Sequence, residues 1–322
     1  MKTNNIYSAL FGLSVGDALG VPVEFKDRSY FKRFPVKDMM EYGVHHQPKG
    51  TWSDDSSLTF CLAESLCKTY DINDIGQKFV KWRNEEIWTP HGKVFDIGIS
   101  TNHAIHSIQK GIKPILAGGT SEMDNGNGSL MRILPLLFYI KDFNIEKRFD
   151  IIKDVSSITH AHMRSVLACF IYLEYGRNIL NGKDKWKAYT KMQAEVNIFL
   201  NTNAVCSQKE MNIFHKILEN KIGDYDVQVL YNLKESEIGS SGYVIDSLEA
   251  SFWCVLNSKS FKETVLKAVN LGRDTDTTGA IAGGLAGLIY GFEAIPKDWI
   301  NVLSRKEDIS ELCDKFSKKY KY

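Results

Sequence analysis

The chain has 322 residues, with 40 Lys and Arg against 39 Asp and Glu, and its net charge is +1. This length suffices for a core without disulfides or a structural metal, and the balanced charge argues against nucleic-acid binding, which normally needs a basic stripe. The six cysteines form no Cys-x-x-Cys pair, as is usual for reduced core residues. The N-terminus shows neither a signal-peptide core nor an apolar run of membrane-spanning length, so we expect a cytoplasmic monomer without a membrane segment.

Helical periodicity dominates the chain, and strand-like alternation is nearly absent. The first helix is predicted from Ile6 to Ala18, and Gly20 with Pro22 ends it. Further helices are predicted at residues 58–66, 75–82, 97–108, 129–139, 161–180, 211–218, 243–256, 261–269 and 277–290. The pattern predicts an all-α protein, with one domain over residues 1–322 and a dozen or more helices. Residues 183–237 are the most polar and least patterned, which makes them a candidate peripheral segment.

The helix predicted at 277–290 lies in a run rich in glycine, from Gly279 to Gly291. Each interior glycine costs a helix roughly 1 kcal/mol relative to alanine. We expect the compensation to be a close backbone approach of a neighbouring helix, which would hold the N-terminus of this helix rigid.

Two acidic clusters, more than two hundred residues apart, each lie in a loop that opens a predicted helix. They are Ser53-Asp54-Asp55-Ser56 and Arg273-Asp274-Thr275-Asp276-Thr277-Thr278. Either one alone is typical of a helix cap with first-turn carboxylates. Together they would place repelling carboxylates side by side unless cations neutralised them. Since carboxylate and hydroxyl oxygens are the ligands of hard divalent cations, we predict one shared site in which four aspartates balance two ions.

Glu24 follows a turn stiffened by Pro22, inside an apolar run where a free carboxylate would be costly. It is therefore a candidate site residue. Asp17, in the same segment, is interpreted as an acceptor for hydrogen bonds from neighbouring loop amides. The other conspicuous histidines are interpreted as loop, helix-face or helix-start residues: His45, His46, His103, His106 and His162.

Four motifs occur in an order that resembles a known enzyme family. They are Gly16-Asp17-Ala18-Leu19-Gly20 with Glu24, Trp52-Ser53-Asp54-Asp55-Ser56, Asn125-Gly126-Asn127-Gly128-Ser129-Leu130-Met131-Arg132, and Gly272-Arg273-Asp274-Thr275-Asp276-Thr277-Thr278-Gly279. Their order over residues 12–291 resembles the ADP-ribosylglycohydrolase family. The resemblance implies an orthogonal multi-helix bundle with two Mg²⁺ or Mn²⁺ ions in a central cleft. It also implies hydrolysis of the bond between C1″ of ADP-ribose and an acceptor group.

The resemblance also implies roles for individual residues. The implied metal ligands are Ser53, Asp54, Asp55, Asp274, Asp276 and Thr277. Proton transfer falls to one carboxylate among Glu24, Asp54 and Asp55, with Glu24 preferred and Asp276 expected to bridge the ions. The implied substrate-binding residues are Gly98 beside the phosphates, Gly126, Asn127 and Gly128 along the ribose and diphosphate, His160 beside the distal ribose, and Gly242 and Tyr243 near adenine.

The implied function is removal of ADP-ribose from a modified protein or small molecule, with arginine linkage as the default acceptor. Serine-linked, nucleic-acid-linked and free ADP-ribose derivatives remain alternatives. A non-catalytic relative that binds ADP-ribose is a second hypothesis, against which the intact set of metal-ligand types argues. A dimetal phosphohydrolase is a third, and it would need a basic phosphate-gripping motif that the chain lacks.

Overall fold

The computed structural model describes residues 4–219, 221–222, 225–226 and 230–321. Within these ranges the chain forms sixteen α-helices: α1 (Asn5–Gly20), α2 (Arg28–Arg33), α3 (Asp54–Leu66), α4 (Ile72–Glu85), α5 (Ile99–Gln109), α6 (Leu136–Ile140), α7 (Ile145–Ser157), α8 (Met163–Leu180), α9 (Lys185–Asn203), α10 (Gln208–Ile213), α11 (His215–Leu218), α12 (Val244–Leu256), α13 (Phe261–Val269), α14 (Thr275–Tyr290), α15 (Lys297–Val302) and α16 (Lys306–Tyr320). The strand structure in the described ranges is one antiparallel pair, β1 (Lys221–Ile222) and β2 (Tyr225–Asp226), with Lys221 opposite Asp226. The all-α prediction is confirmed.

The centre of the fold is the contact between α1 and α14, which pack through glycines. A Cβ atom on Gly16 would lie 2.0 Å from the carbonyl oxygen of Gly279, and one on Gly283 would lie 2.3 Å from the carbonyl oxygen of Gly12. No side chain fits at these positions, so the two backbones approach as closely as helices can. The expected close approach to the glycine-rich helix is confirmed, and the structure identifies its partner as α1.

This contact brings the end of α1 to the start of α14. A Cβ atom on Gly20 would lie 2.2 Å from the amide nitrogen of Asp276, and the Thr275 hydroxyl donates a hydrogen bond to the Gly20 carbonyl at 2.8 Å. The chain then turns through a short 3₁₀ segment, Val21–Val23, before Glu24. Glu24 is thereby delivered next to the second acidic cluster.

Two of the predicted helices differ from those observed. The helix predicted at 129–139 is reduced to α6, because Pro135 donates no backbone hydrogen bond and disfavours a helical conformation at the residue before it; residues 129–135 form turns instead. The helix predicted at 211–218 is interrupted at Phe214, where α10 ends and α11 begins.

The segment 183–237 is more ordered than its composition indicated. It contains α9, nineteen residues long, whose buried residues recur at helical spacing: Ala188, Met192, Val196, Phe199 and Leu200. That spacing was a readable signal for a helix that packs on the core. Residues 220, 223–224 and 227–229 of this segment lie outside the described residues, and the assignment of residues 1–322 to one domain stays a prediction.

The expectation that the N-terminus holds no run of membrane-spanning length is wrong. Asn5–Val23 has the length and the mean hydropathy, 1.4, of a membrane span, but 94% of that window is buried inside the fold. The apolar character of α1 is explained by its position at the centre of the core, where almost every side of the helix contacts protein.

Candidate active site

Asp17 fixes the first acidic cluster against α1. Its carboxylate accepts hydrogen bonds from the backbone N–H groups of Ser53 at 2.9 Å and Ser56 at 3.0 Å, and from the Ser56 hydroxyl at 2.6 Å. Asp17 is completely buried. Its predicted role as an acceptor for loop amides is confirmed, and the N-terminus of α3 is held in place by it.

The two acidic clusters meet at this point. Carboxylate oxygens of Asp17, Asp55 and Asp276 lie within 4.8 Å of one another, and so do those of Glu24, Asp274 and Asp276. Asp276 belongs to both groups and therefore lies between them. The chain thus brings together carboxylates that are separated by more than two hundred residues in sequence.

Hydroxyl groups complete the contact between the clusters. The Ser53 hydroxyl donates to the Asp55 carboxylate at 2.9 Å, and the Thr277 hydroxyl donates to the same oxygen at 3.4 Å. Asp54, at the start of α3, points to a different neighbour: the Gly98 backbone N–H, at the N-terminus of α5, is hydrogen-bonded to its carboxylate. Among the described residues, Asp54 is not part of the groups that lie within 4.8 Å.

Burial and mutual repulsion make these carboxylates hard to ionise. Burial raises the pKa of Asp55 and Asp276 well above the usual value, and the charges of neighbouring carboxylates raise it further. Burial also raises the pKa of Asp17 to about 6 and that of Glu24 to about 7. Ionised carboxylates at this density need a positive charge among them.

The donor atoms present fit a divalent cation. Oδ1 of Asp55 is buried and has no hydrogen-bond partner among the described residues, although its other oxygen accepts from Ser53 and Thr277. A buried carboxylate oxygen without a partner is costly unless it coordinates an ion. The oxygen-only surroundings are those of a hard cation such as Mg²⁺ or Mn²⁺.

The glycine-rich loop at 126–128 lies on one flank of the acidic cluster. The side-chain amide of Asn127 donates to the Asp274 carboxylate at 2.8 Å and to the Ser247 hydroxyl at 2.8 Å. Its backbone N–H donates to the carbonyl of Gly242 at 3.0 Å, and Gly126 pairs with Tyr243 in an isolated bridge. The loop and the 242–243 segment therefore form one surface that reaches the cluster through Asp274.

His160 packs beneath the same loop. A Cβ atom on Gly128 would lie 2.7 Å from the His160 ring and 2.8 Å from the Thr101 hydroxyl, so this turn requires glycine. Burial, together with the nearby charge of Arg132, lowers the pKa of His160 to about 3. The imidazole is therefore neutral, and its Nδ1 lies 2.9 Å from the Thr159 hydroxyl.

Tyr243 is linked to the segment that was predicted to be peripheral. Its phenol oxygen accepts a hydrogen bond from Nη1 of Arg164 at 3.1 Å. The same guanidinium forms a two-point ion pair with Glu210 of α10, at 3.0 Å and 2.8 Å. Both charged side chains are mostly buried. Residues 183–237 thus reach the edge of the candidate site through Glu210.

The structure adds two residues that sequence reasoning did not single out as site residues. Nε2 of His45 lies 2.5 Å from Oε2 of Glu24, in hydrogen-bond contact, and Asp96 has a ligand atom within 4.8 Å of both. His45 is in a loop, as expected, but its contact with Glu24 was not foreseen. His45 lies in a loop outside the recognised motifs, and Asp96 lies two residues before Gly98 but was given no role, so no sequence spacing indicated that they would meet.

Comparisons with known proteins each match this chain to proteins described as ADP-ribosyl hydrolases or glycohydrolases, or as related to them. The family described as ADP-ribosylglycohydrolase matches residues 2–322. The ADP-ribosylarginine hydrolase Tri1 of Serratia proteamaculans is 32% identical over 308 residues, which are 95% of this chain and 77% of that protein. The ADP-ribosyl-[dinitrogen reductase] glycohydrolase of Rhodospirillum rubrum is 27% identical over 314 residues, covering 92% of this chain and 90% of its own length. A solved structure described as an ADP-ribosylglycohydrolase-related protein complex has a TM-score of 0.78 and 27% identity, and covers 99% of this chain and 100% of that chain.

Proposed function

The chain belongs to the ADP-ribosylglycohydrolase family, and from this membership we propose that it hydrolyses ADP-ribosylarginine with the help of two divalent cations, Mg²⁺ or Mn²⁺. The observation that carries the proposal is the meeting of the two acidic clusters around Asp276. Arginine linkage is supported by relatives named ADP-ribosylarginine hydrolases, which are 32% and 30% identical to this chain.

The side chains that would hold the cations are the carboxylates and hydroxyls of the two acidic clusters, although among the described residues Asp54 lies outside the groups whose oxygens are within 4.8 Å of one another. Asp17 is already engaged, since both of its oxygens accept hydrogen bonds from the α3 loop, so we assign it to positioning. The remaining candidates are Ser53, Asp54, Asp55, Asp274, Asp276 and Thr277. Bound divalent cations would supply Lewis-acid polarisation and orientation of oxygen groups.

Glu24 is the side chain best suited to move a proton. In the reaction a water oxygen attacks C1″, the bond from C1″ to the guanidine nitrogen breaks, and the departing nitrogen takes up a proton. Glu24 would take the proton from the water and return it to the leaving guanidine. In the metal-free fold burial raises the pKa of this carboxyl to about 7; bound cations nearby would lower it and favour the ionised form that accepts the proton of the water. Asp54 and Asp55 are the alternatives for this step.

The glycine loop would bind the rest of the substrate. The lack of side chains at Gly126 and Gly128 allows a ligand to approach the backbone, and Asn127 is held by Asp274 and Ser247. Tyr243 offers a half-buried aromatic face beside this loop, on which a nucleobase can stack. The loop thus suits a nucleoside diphosphate whose distal sugar points towards the acidic cluster.

A substrate panel tests the proposal. Purified protein with Mg²⁺ or Mn²⁺ is incubated with arginine-linked, serine-linked and nucleic-acid-linked ADP-ribose, and released ADP-ribose is measured. We expect release from the arginine-linked substrate, loss of release with EDTA, and loss in the Asp276→Ala variant. Asp298→Ala is the control, because Asp298 also lies in the first turn of a helix, α15, but is exposed.

Other outcomes point to other functions. ADP-ribose binding without release from any substrate would indicate a non-catalytic relative, and release of inorganic phosphate would indicate a phosphohydrolase. Release from the serine-linked or nucleic-acid-linked substrate alone would contradict the arginine linkage and retain the hydrolase.

A further inference from the structure

Phe25, the residue after Glu24, presents a bare aromatic ring to solvent beside the candidate site. Its side chain is among the exposed large hydrophobic groups, at 67%, and its φ of 63° lies in the left-handed region that an aromatic residue rarely adopts. Both the exposure and this backbone conformation cost free energy. Strained residues of this kind cluster at ligand-binding positions, where the surrounding structure holds them in place.

The strained backbone is held by a reciprocal pair of hydrogen bonds. The Phe25 N–H donates to the Arg273 carbonyl at 2.7 Å, and the Arg273 N–H donates to the Lys26 carbonyl at 2.7 Å. Arg273 also has a left-handed backbone, with φ of 64°. The loop that carries Glu24 is thereby joined to the loop that carries Asp274, and the Phe25 ring is fixed relative to both.

The ring lies one side chain away from the carboxyl proposed to transfer the proton. The centroids of Phe25 and His45 are 5.8 Å apart, and His45 is hydrogen-bonded to Glu24. Phe95 contacts the same imidazole, with centroids 5.3 Å apart. The glycine loop reaches the cluster through Asp274, whereas Phe25 reaches it through His45 and Glu24. Phe25 is therefore connected to the acidic cluster through other residues than the glycine-rich loop at 126–128.

The charges around the ring favour a cation. Ligand atoms of Glu24, Asp96 and His45 lie within 4.8 Å of one another, and His45 contacts the Phe25 ring. The basic side chains of this region already have partners. His45, which contacts the ring, is hydrogen-bonded to Glu24, and this bond raises the pKa of the imidazole. Nζ of Lys26 lies over the ring of Tyr30, and Arg273 lies 3.6 Å from Asp27. An aromatic face beside carboxylates is a favourable environment for a planar guanidinium, which stacks on rings and pairs with carboxylates.

We propose that the guanidinium of the acceptor arginine stacks on Phe25, which makes this residue the determinant of arginine over a hydroxyl acceptor. The inference rests on the proposed function, which it deepens by assigning acceptor recognition to one side chain. A serine-linked acceptor has no planar cation, so the Phe25 ring would not increase its affinity.

Steady-state kinetics with ADP-ribosylarginine tests this role. Phe25→Ala is expected to raise KM roughly 3- to 30-fold, the range that corresponds to loss of one cation–π contact, while the Kd for ADP-ribose alone is unchanged. Phe25→Leu keeps the apolar bulk and should resemble Phe25→Ala, whereas Phe25→Tyr keeps the aromatic face and should restore the wild-type KM. Phe34→Ala is the matched control, since Phe34 is 62% exposed and lies at the end of α2.

A binding experiment separates this inference from the proposed function. Agmatine, a guanidinium without ADP-ribose, is titrated into the protein that holds ADP-ribose and Mg²⁺, and its affinity is compared between wild type, Phe25→Ala and Phe34→Ala. Weaker agmatine binding in Phe25→Ala alone supports the stacking role, even if the wild type hydrolyses no substrate. Equal agmatine affinity in all three proteins would overturn it. So would a loss of ADP-ribose affinity in Phe25→Ala as large as the loss of agmatine affinity.

Discussion

Glu24 is a carboxyl whose neighbours act on its proton in opposite directions. Burial raises its pKa to about 7, and the charges of Asp96 and Asp274 add to this, whereas the hydrogen bond from His45 lowers it. In the metal-free fold the balance leaves a group that is partly protonated and partly ionised at neutral pH, and bound divalent cations would shift it towards the ionised form. Such a group serves both halves of a reaction in which one proton is taken up and returned.

Replacement of Glu24 by Gln is therefore expected to lower kcat for ADP-ribosylarginine by roughly 10²- to 10⁴-fold, the usual contribution of a general acid or base. The Kd for ADP-ribose should change little, because the amide preserves the shape of the side chain. Stopped assays of ADP-ribose release and calorimetric titration measure the two quantities. Glu41→Gln, at an exposed position of the neighbouring loop, is the control. A variant with wild-type kcat would move the proton transfer to Asp54 or Asp55.

Among individual residues, the sequence predicted the carboxylates of the site better than the side chains that contact them. Glu24 could be selected because a carboxylate in an apolar run is costly, and the acidic clusters because like charges gathered at two helix ends need a cation. His45 and Asp96 could not be selected. They lie in loops, and where a loop side chain points depends on the whole path of the loop rather than on a periodic pattern.

Among the elements, α10 shows how a short helix outside the main core can support the site. Glu210 forms a two-point ion pair with Arg164, which in turn donates to the Tyr243 phenol. Arg164 belongs to the first turn of α8, and Tyr243 is the N-cap residue of α12. One ion pair thus connects three helices at the edge of the glycine loop.

Glu210→Ala is expected to lower the free energy of unfolding by about 3–5 kcal/mol, because it leaves the mostly buried guanidinium of Arg164 without its counter-charge. Glu122→Ala removes an exposed pair with Lys209, and it should leave the free energy of unfolding nearly unchanged. Denaturant titration followed by circular dichroism measures both. Similar stabilities for the two variants would show that α10 contributes little to the fold.

Every predicted helix has an observed counterpart, but five helices of the described ranges lie where none was predicted from the sequence: α2, α7, α9, α15 and α16. The helix at 261–269 was predicted with the bounds that α13 has, because its apolar positions repeat cleanly between Ser260 and Gly272. In the 129–139 stretch the apolar run is interrupted at Arg132, and Pro135 limits the helix to α6. The buried positions of α9 are separated by many polar residues, so its low overall hydrophobicity concealed a regular pattern.

For the molecule as a whole, the acidic cluster links stability to cations and to pH. Carboxyls in the unfolded chain titrate near pH 4, whereas burial raises the pKa of Asp17 to about 6 and that of Glu24 to about 7 in the metal-free fold. A raised pKa means that the folded state binds protons more readily than the unfolded state. The stabilisation from Asp17 and Glu24 is therefore fully present below about pH 4 and is lost as the pH rises through their folded pKa values of about 6 and about 7. Asp55 and Asp276, whose pKa values are raised well above the usual value, contribute in the same direction.

Divalent cations should offset this loss. In thermal melts we expect Mg²⁺ or Mn²⁺ to raise Tm relative to EDTA at pH 8, and we expect the difference to shrink as the pH falls towards 5. Buffers with NaCl at the same ionic strength and without divalent cations are the control for screening of the carboxylate charges by salt. A Tm that is the same with EDTA and with Mg²⁺ at pH 8 would contradict the assignment of a cation site to this cluster.

The glycine contact between α1 and α14 also orders events during synthesis. The α1 helix leaves the ribosome long before α14, the helix whose backbone packs against the glycines of α1 and which ends at Tyr290. Before α14 is synthesised, α1 is a strongly apolar helix without its packing partner. Such a helix is prone to aggregation and to chaperone binding. The acidic cluster of the candidate site can form only after α14 is synthesised, because Asp274 and Asp276 belong to the start of that helix.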